Sequence, residues 1–125
     1  MKKRQLGLAM LVLVAAAATP RPADEFHFAL SRSEPAADAT VQTPAQIKLW
    51  FTQVPRPGTL AVRLVNAAGQ QVELAEPKAD EADAKIVSAA IARALPAGAY
   101  TVAWRGAGDD GHMVQNEFAF RVTAE

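Results

Sequence analysis

Short runs in which large apolar side chains occupy every second position constrain this sequence more than any other feature. In one run, Tyr100, Val102 and Trp104 alternate with Thr101 and Ala103. The other runs of this kind are 47–51, 60–64 and 118–122. A spacing of two is typical of β-strands that bury one face. The sequence therefore predicts several short strands around one core.

Turn-forming residues separate these runs. They are Pro44, Pro55 to Gly58, Ala68-Gly69, Pro96 to Gly98 and Asp109 to Gly111. Clusters of proline, glycine and aspartate mark tight connections between strands. Short strands at regular intervals with such turns predict an all-β fold, either an antiparallel Greek-key β-sandwich or a barrel.

The segment 80–95 allows two interpretations. Val87, Ile91 and Leu95 lie four residues apart, as on one face of a helix, while Val87, Ala89 and Ile91 also alternate as in a strand. The alanine-rich composition and the acidic start make a helix the favoured interpretation on periodicity alone. The all-β context favours a strand instead.

Size, charge and cysteine content exclude several classes of protein. The chain has 125 residues, enough for one small domain. Its 13 Lys and Arg balance 13 Asp and Glu, so no nucleic-acid binding is expected. The sequence contains no cysteine, which excludes disulfides, zinc–thiolate sites and a cysteine nucleophile. Because it has two histidines, a site of three imidazoles within one chain is also excluded.

The amino-terminal residues 1–18 predict a secretory signal peptide. Lys2, Lys3 and Arg4 precede an uncharged run over 6–18 that ends in four alanines. A transmembrane anchor would need about 20 apolar residues, and prolines and an arginine end this run earlier. Small residues favour cleavage after Ala18, with Ala23 as the alternative. The mature chain then carries a net charge of −3.

After the signal peptide, residues 19–26 are predicted to form a loose, proline-rich leader, and 27–125 form the folded domain. The chain ends at Glu125, directly after the last predicted strand. We therefore expect no fused membrane transporter.

The turn that contains Asp110 and His112 is the clearest candidate for chemistry. Carboxylate and imidazole are suitable ligands for Cu(II), Zn(II) or Ni(II), and in an extended segment these two side chains would share one face. A plain polar hairpin turn is the alternative, because Asp-Gly is common in such turns. The other imidazole, His27, is best explained, when taken alone, as a partly buried histidine packed between Phe26 and Phe28. The two histidines become informative if the fold brings them together.

Several segments together carry a family resemblance. In chain order they are HFALSRSEPA at 27–36, IKLWF at 47–51, LPAGAYTVAWR at 95–105, DGH at 110–112 and FAFRV at 118–122. In order and spacing they resemble the CopC family of periplasmic copper-resistance proteins. The resemblance implies a Greek-key sandwich of the cupredoxin or immunoglobulin type. It also implies a strand within 80–95.

The resemblance further implies a Cu(II) site formed by His27, Asp110 and His112. Two imidazoles and a carboxylate suit tetragonal Cu(II), and the Irving–Williams order favours copper over the other divalent ions. The implied function is periplasmic copper binding for tolerance, storage or delivery, without catalysis. The implied partners are the copper ion and a separate inner-membrane copper transporter, and the protein is expected to be a monomer.

The sequence departs from the family pattern before His27 and in its methionine content. Family members often begin at the opening histidine, whose amine also binds copper, whereas cleavage after Ala18 places His27 about eight residues inside the chain. Water, Asp24 or Glu25 would then replace the amine. Relatives with a methionine-rich loop bind Cu(I). Here the mature chain keeps one methionine, Met113, which stands where the family commonly has proline and offers at most a weak axial contact.

Two other functions remain open from the sequence. An immunoglobulin-like interaction module would keep the fold and bind no metal. A copper oxidase of the histidine-brace type would require His27 to be the processed first residue.

Overall fold

Nine β-strands and no helix form the part of the chain that the structure, a computed structural model, describes; this part comprises residues 27–124. The strands are β1 Leu30–Glu34, β2 Thr40–Gln42, β3 Gln46–Phe51, β4 Ala61–Asn66, β5 Gln71–Val72, β6 Lys78–Ala79, β7 Ile86–Ala90, β8 Gly98–Ala107 and β9 Met113–Thr123. No helix that could cross a membrane occurs in this part. The predicted signal peptide over 1–18, its alternative end at Ala23 and the leader 19–26 lie outside the described residues.

Two sheets pack face to face. One contains four strands in the order β1-β3-β7-β6, and the other contains five in the order β2-β9-β8-β4-β5. All pairs are antiparallel except β2 with β9. The chain crosses between the sheets five times, after β1, β2, β3, β5 and β7, as in a Greek-key sandwich. The predicted all-β class is therefore confirmed.

The alternating residues of the sequence form the core between the sheets. In β3 the residues Ile47, Leu49 and Phe51 are buried, and in β8 the residues Tyr100, Val102 and Trp104 are buried. Before β8 the chain turns a corner, where the Tyr100 hydroxyl donates to the Pro96 carbonyl at 2.6 Å. This tyrosine corner is a recurring feature of immunoglobulin-like sandwiches.

The segment 80–95 is a turn and a strand, so the helix that periodicity favoured is wrong. Strand β7 lies between β3 and β6 in the first sheet, and its Val87 and Ala89 are buried. The acidic start does not cap a helix. The Asp80 carboxylate instead accepts from the Ala82 and Asp83 amides at 3.0 and 3.1 Å, which forms a tight turn. The strand that the family resemblance implied is present as β7, which forms antiparallel hydrogen bonds with β3.

Trp50 lies outside the core, in contrast to Trp104. It lies half-buried on the outer face of the first sheet, where the Arg32 guanidinium stacks 4.4 Å from the ring centroid. The Lys48 ammonium lies 5.1 Å from the same centroid. Two cations with apolar stems therefore cover the ring that interrupts the polar face.

Candidate metal centre

Phe28 fixes the position of its neighbour His27. The Phe28 ring is 5% exposed, stacks on Phe51 at 4.7 Å between centroids and meets the edge of Trp104 at 6.0 Å. Burial of such an aromatic side chain is worth several kcal/mol, roughly 3–5 by the cost of truncating it to alanine. The exposed His27 therefore sits at the rim of the sandwich, three residues before β1 begins.

Two glycines at the end of β8 make room for Phe28. A Cβ on Gly106 would lie 3.0 Å from two atoms of the Phe28 ring. A Cβ on Gly108 would lie 3.0 Å from the Phe28 Cβ and would overlap the side-chain oxygen of Gln53. Since these contacts are possible only without side chains, the chain before β1 lies directly against the start of the β8–β9 turn.

Two adjacent residues after β3 bind both segments. The Thr52 hydroxyl donates to the His27 carbonyl and accepts from the Ala29 amide at 3.0 Å. The Gln53 side-chain oxygen accepts from the Asp109 amide at 2.9 Å. The adjacent residues Thr52 and Gln53 therefore bind the backbones of His27 and Asp109, respectively.

The β8–β9 turn is closed by its own hydrogen bonds. One Asp110 carboxylate oxygen accepts from the His112 amide at 2.9 Å, and the Gly111 amide donates to the Gly108 carbonyl at 3.0 Å. Gly111 has a φ of 77°, in the left-handed region. The chain is therefore not extended between Asp110 and His112, so the condition under which their side chains would share one face is not met here.

A cation lies beside the same turn. The Nη1 atom of Arg56 lies 3.2 Å from the point that a Cβ on Gly111 would occupy. The Arg56 amide donates to the Ala107 carbonyl at 2.9 Å, which fixes the backbone of this arginine against the end of β8. Any metal ion at the turn would therefore experience a positive charge on the Gly111 side.

The structure brings the predicted ligands to one end of the sandwich, but it does not close them into a coordination shell. His27, Asp110 and His112 are all exposed. Within residues 27–124, no three His, Asp or Glu side chains form a group that could hold a metal ion. The donor chemistry itself, imidazole with carboxylate, suits Cu(II).

His27 and Asp109 line one open cavity of about 850 Å³ beside Thr52, Gln53 and Lys85. The sequence had singled out Asp110 and not its neighbour. The sole signal for Asp109 was its place next to Asp110, because which of two consecutive carboxylates faces another segment depends on the turn.

Met113 follows His112 at the start of β9. It pairs with Ala107 in the sheet and is 43% exposed. Its exposed position leaves the thioether accessible at the same rim, without a buried packing role.

A cysteine-free, two-sheet Greek-key sandwich with imidazole and carboxylate side chains at one rim defines the class of this protein. The model of the CopC domain matches residues 30–123, so the chain belongs to the CopC family. The matched range includes Asp110 and His112 and begins three residues after His27.

Individual relatives agree with this assignment. Protein YobA of Escherichia coli K12 is 28% identical over 120 residues, which are 95% of each chain. The crystal structure of PcoC, a methionine-rich copper resistance protein from Escherichia coli, is 28% identical, with a TM-score of 0.69 over 78% of this chain and 99% of that one. The crystal structure of CopC from Methylosinus trichosporium OB3b has a TM-score of 0.70 at 24% identity, covers 78% of this chain and 94% of its own, and supports the fold.

Proposed function

We propose that this protein binds Cu(II) in the periplasm through His27, Asp110 and His112, and that it holds copper for tolerance, storage or delivery. Membership of the CopC family and similarity to a copper-resistance protein support a copper-related function. The observation that carries the site is the packing of Phe28 against Gly106 and Gly108. This contact puts the first histidine beside the turn that holds the second.

The available donors favour Cu(II) over Cu(I). Nitrogen and carboxylate oxygen suit Cu(II), whereas Cu(I) prefers thiolates and thioethers. The PcoC relative is described as methionine-rich, but Met113 is the sole methionine within residues 27–124. A thioether cluster therefore cannot form from these residues.

Exposed ligands on a fixed backbone suit capture and release of an ion. Copper binding would order the exposed imidazoles of His27 and His112, at a cost of roughly 0.5–1.5 kcal/mol for each side chain. Catalysis with oxygen would instead benefit from a site that excludes water. We therefore propose binding without catalysis, by a monomer that exchanges copper with a separate inner-membrane transporter.

Copper titration tests the site directly. Apoprotein, His27→Ala, His112→Ala and the control Gln115→Ala are titrated with Cu(II) against a competing chelator. Substitution of a residue that only supports a metal ligand typically weakens binding roughly 10–100-fold. Loss of a histidine ligand should weaken Cu(II) binding by more than this. The control Gln115→Ala, three residues after His112, should bind Cu(II) normally. Unchanged affinity in both histidine variants would show that the site is elsewhere or that the chain is an interaction module.

The mature amino terminus needs a separate measurement. Intact mass of the protein from the periplasmic fraction should show a first residue at position 19 or 24, which corresponds to cleavage after Ala18 or Ala23. A first residue at His27 would supply a free amine to the metal and would favour the histidine-brace oxidase instead.

A further inference from the structure

The β8–β9 turn contains two consecutive carboxylates whose surroundings differ. One oxygen of Asp110 accepts the His112 amide and so maintains the turn. Within residues 27–124, no hydrogen bond or ion pair involves the Asp109 carboxylate, although the Asp109 amide is fixed by Gln53. The turn therefore uses the carboxylate of Asp110 and leaves that of Asp109 to other partners.

Asp109 and His27 border the same space. Both line the open cavity of about 850 Å³ at the rim, and neither Asp110 nor His112 lines it. Their backbones are held by the adjacent residues Thr52 and Gln53. The carboxylate that the fold places on the His27 side of the site is thus Asp109.

The number of donors that Cu(II) requires suggests a role for the Asp109 carboxylate. Tetragonal Cu(II) takes four strong donors in a plane, and the three predicted ligands leave one position. A second carboxylate would also neutralise the charge of the dication. We propose that Asp109 is a further copper ligand and occupies the position next to His27. This inference rests on the proposed function.

Variants at position 109 test the assignment. Asp109→Asn and Asp109→Ala are compared with Glu117→Gln, which removes an exposed carboxylate from the middle of β9. For each protein, Cu(II) affinity is measured by chelator competition, the parallel region of the EPR spectrum is recorded, and the thermal midpoint of the apoprotein is determined.

If Asp109 is a ligand, both variants bind Cu(II) at least about 10-fold more weakly, by comparison with the effect of outer residues on metal sites. Their EPR spectra shift, because a charged oxygen donor is lost. The apoprotein midpoint stays unchanged, since the carboxylate forms no hydrogen bond or ion pair within residues 27–124. Glu117→Gln should match the parent protein in all three measurements.

Two outcomes overturn the inference, and a third separates it from the proposed function. An unchanged EPR spectrum with a several-fold affinity loss would mean that Asp109 acts through charge alone. Unchanged affinity and spectrum would mean that Asp109 plays no part. If His27→Ala and His112→Ala bind normally as well, the proposed function fails together with the inference; if only those two variants lose copper, the inference alone fails.

Discussion

The aromatic cluster and the rim above it differ in almost every physical respect. Phe28, Phe51 and Trp104 are buried and in mutual ring contact. One residue away, His27 is exposed, as are the Asp and His side chains of the β8–β9 turn. The cluster determines where the rim residues lie, and the rim residues determine what can bind there. Stability and copper binding should therefore respond to different substitutions.

Phe28→Ala should have the largest effect, because it damages both regions. Truncation of a buried phenylalanine costs about 3–5 kcal/mol of unfolding free energy, and it also releases the segment that carries His27. Phe120→Ala is the matched control, since Phe120 is 1% exposed and stacks on Tyr100, away from this cluster. Chemical denaturation should show similar destabilisation of both variants. Copper titration under folded conditions should show weaker binding for Phe28→Ala alone; equal affinities would disprove the positioning role of Phe28.

The sequence predicted the strands well because their signal is local. Alternation at 47–51 and 100–104 reflects burial of one face of each strand, and the structure places strands at both. The segment 80–95 misled the periodicity argument because its acidic start is compatible with a helix cap or with a turn. The segment forms a strand because it pairs with β3 in the first sheet. This is a tertiary contact, and the local sequence pattern does not contain it.

The candidate site was much less accessible to sequence reasoning. The pairing of His27 with the β8–β9 turn was implied by a family resemblance. Its physical cause, Phe28 lying on Gly106 and Gly108, joins residues that are far apart in the chain. The role of a left-handed glycine in the turn, and the cavity that Asp109 shares with His27, likewise depend on three-dimensional geometry.

Thr52→Val should have the next largest effect. The substitution keeps the shape but removes a hydroxyl that donates to the His27 carbonyl and accepts from the Ala29 amide. Each of these two hydrogen bonds contributes about 0.5–1.5 kcal/mol to the free energy of unfolding. Thr59→Val provides the comparison, because that hydroxyl also makes two bonds, to the Arg56 carbonyl and from the Ala107 amide.

Denaturation should show comparable losses of stability for the two threonine variants. Copper titration should show a larger loss for Thr52→Val, since the direct amide–carbonyl bond between Arg56 and Ala107 survives the loss of Thr59. A larger affinity loss for Thr59→Val would mean that the His27 segment is positioned without Thr52.

A pair of glycine substitutions separates backbone strain from effects at the rim. Gly111 and Gly69 have φ values of 77° and 83°, so alanine at either position should cost about 1–2 kcal/mol. A Cβ at Gly69 meets nothing within 4 Å, whereas one at Gly111 approaches the Arg56 guanidinium. Thermal unfolding should show similar losses of stability for Gly111→Ala and Gly69→Ala. Only Gly111→Ala should alter copper affinity, because only that turn carries candidate ligands; an equal effect from Gly69→Ala would indicate a global cause.

The smallest effect concerns charge at the rim alone. Arg56 places a cation beside Gly111, and repulsion between nearby like charges in a water-like medium opposes binding by about 1 kcal/mol. Arg56→Gln should therefore raise Cu(II) affinity several-fold. Added salt should narrow the difference between variant and parent, because solvent ions screen exposed charges.

Arg63→Gln is the control, since it removes the same charge from an exposed position in β4. Both variants should keep the stability of the parent within about 0.5 kcal/mol, as is usual for surface substitutions. A gain in affinity for Arg56→Gln alone would show that the rim can be tuned without disturbing the aromatic cluster. Equal gains for both variants would instead assign the effect to net charge and would place copper away from the β8–β9 turn.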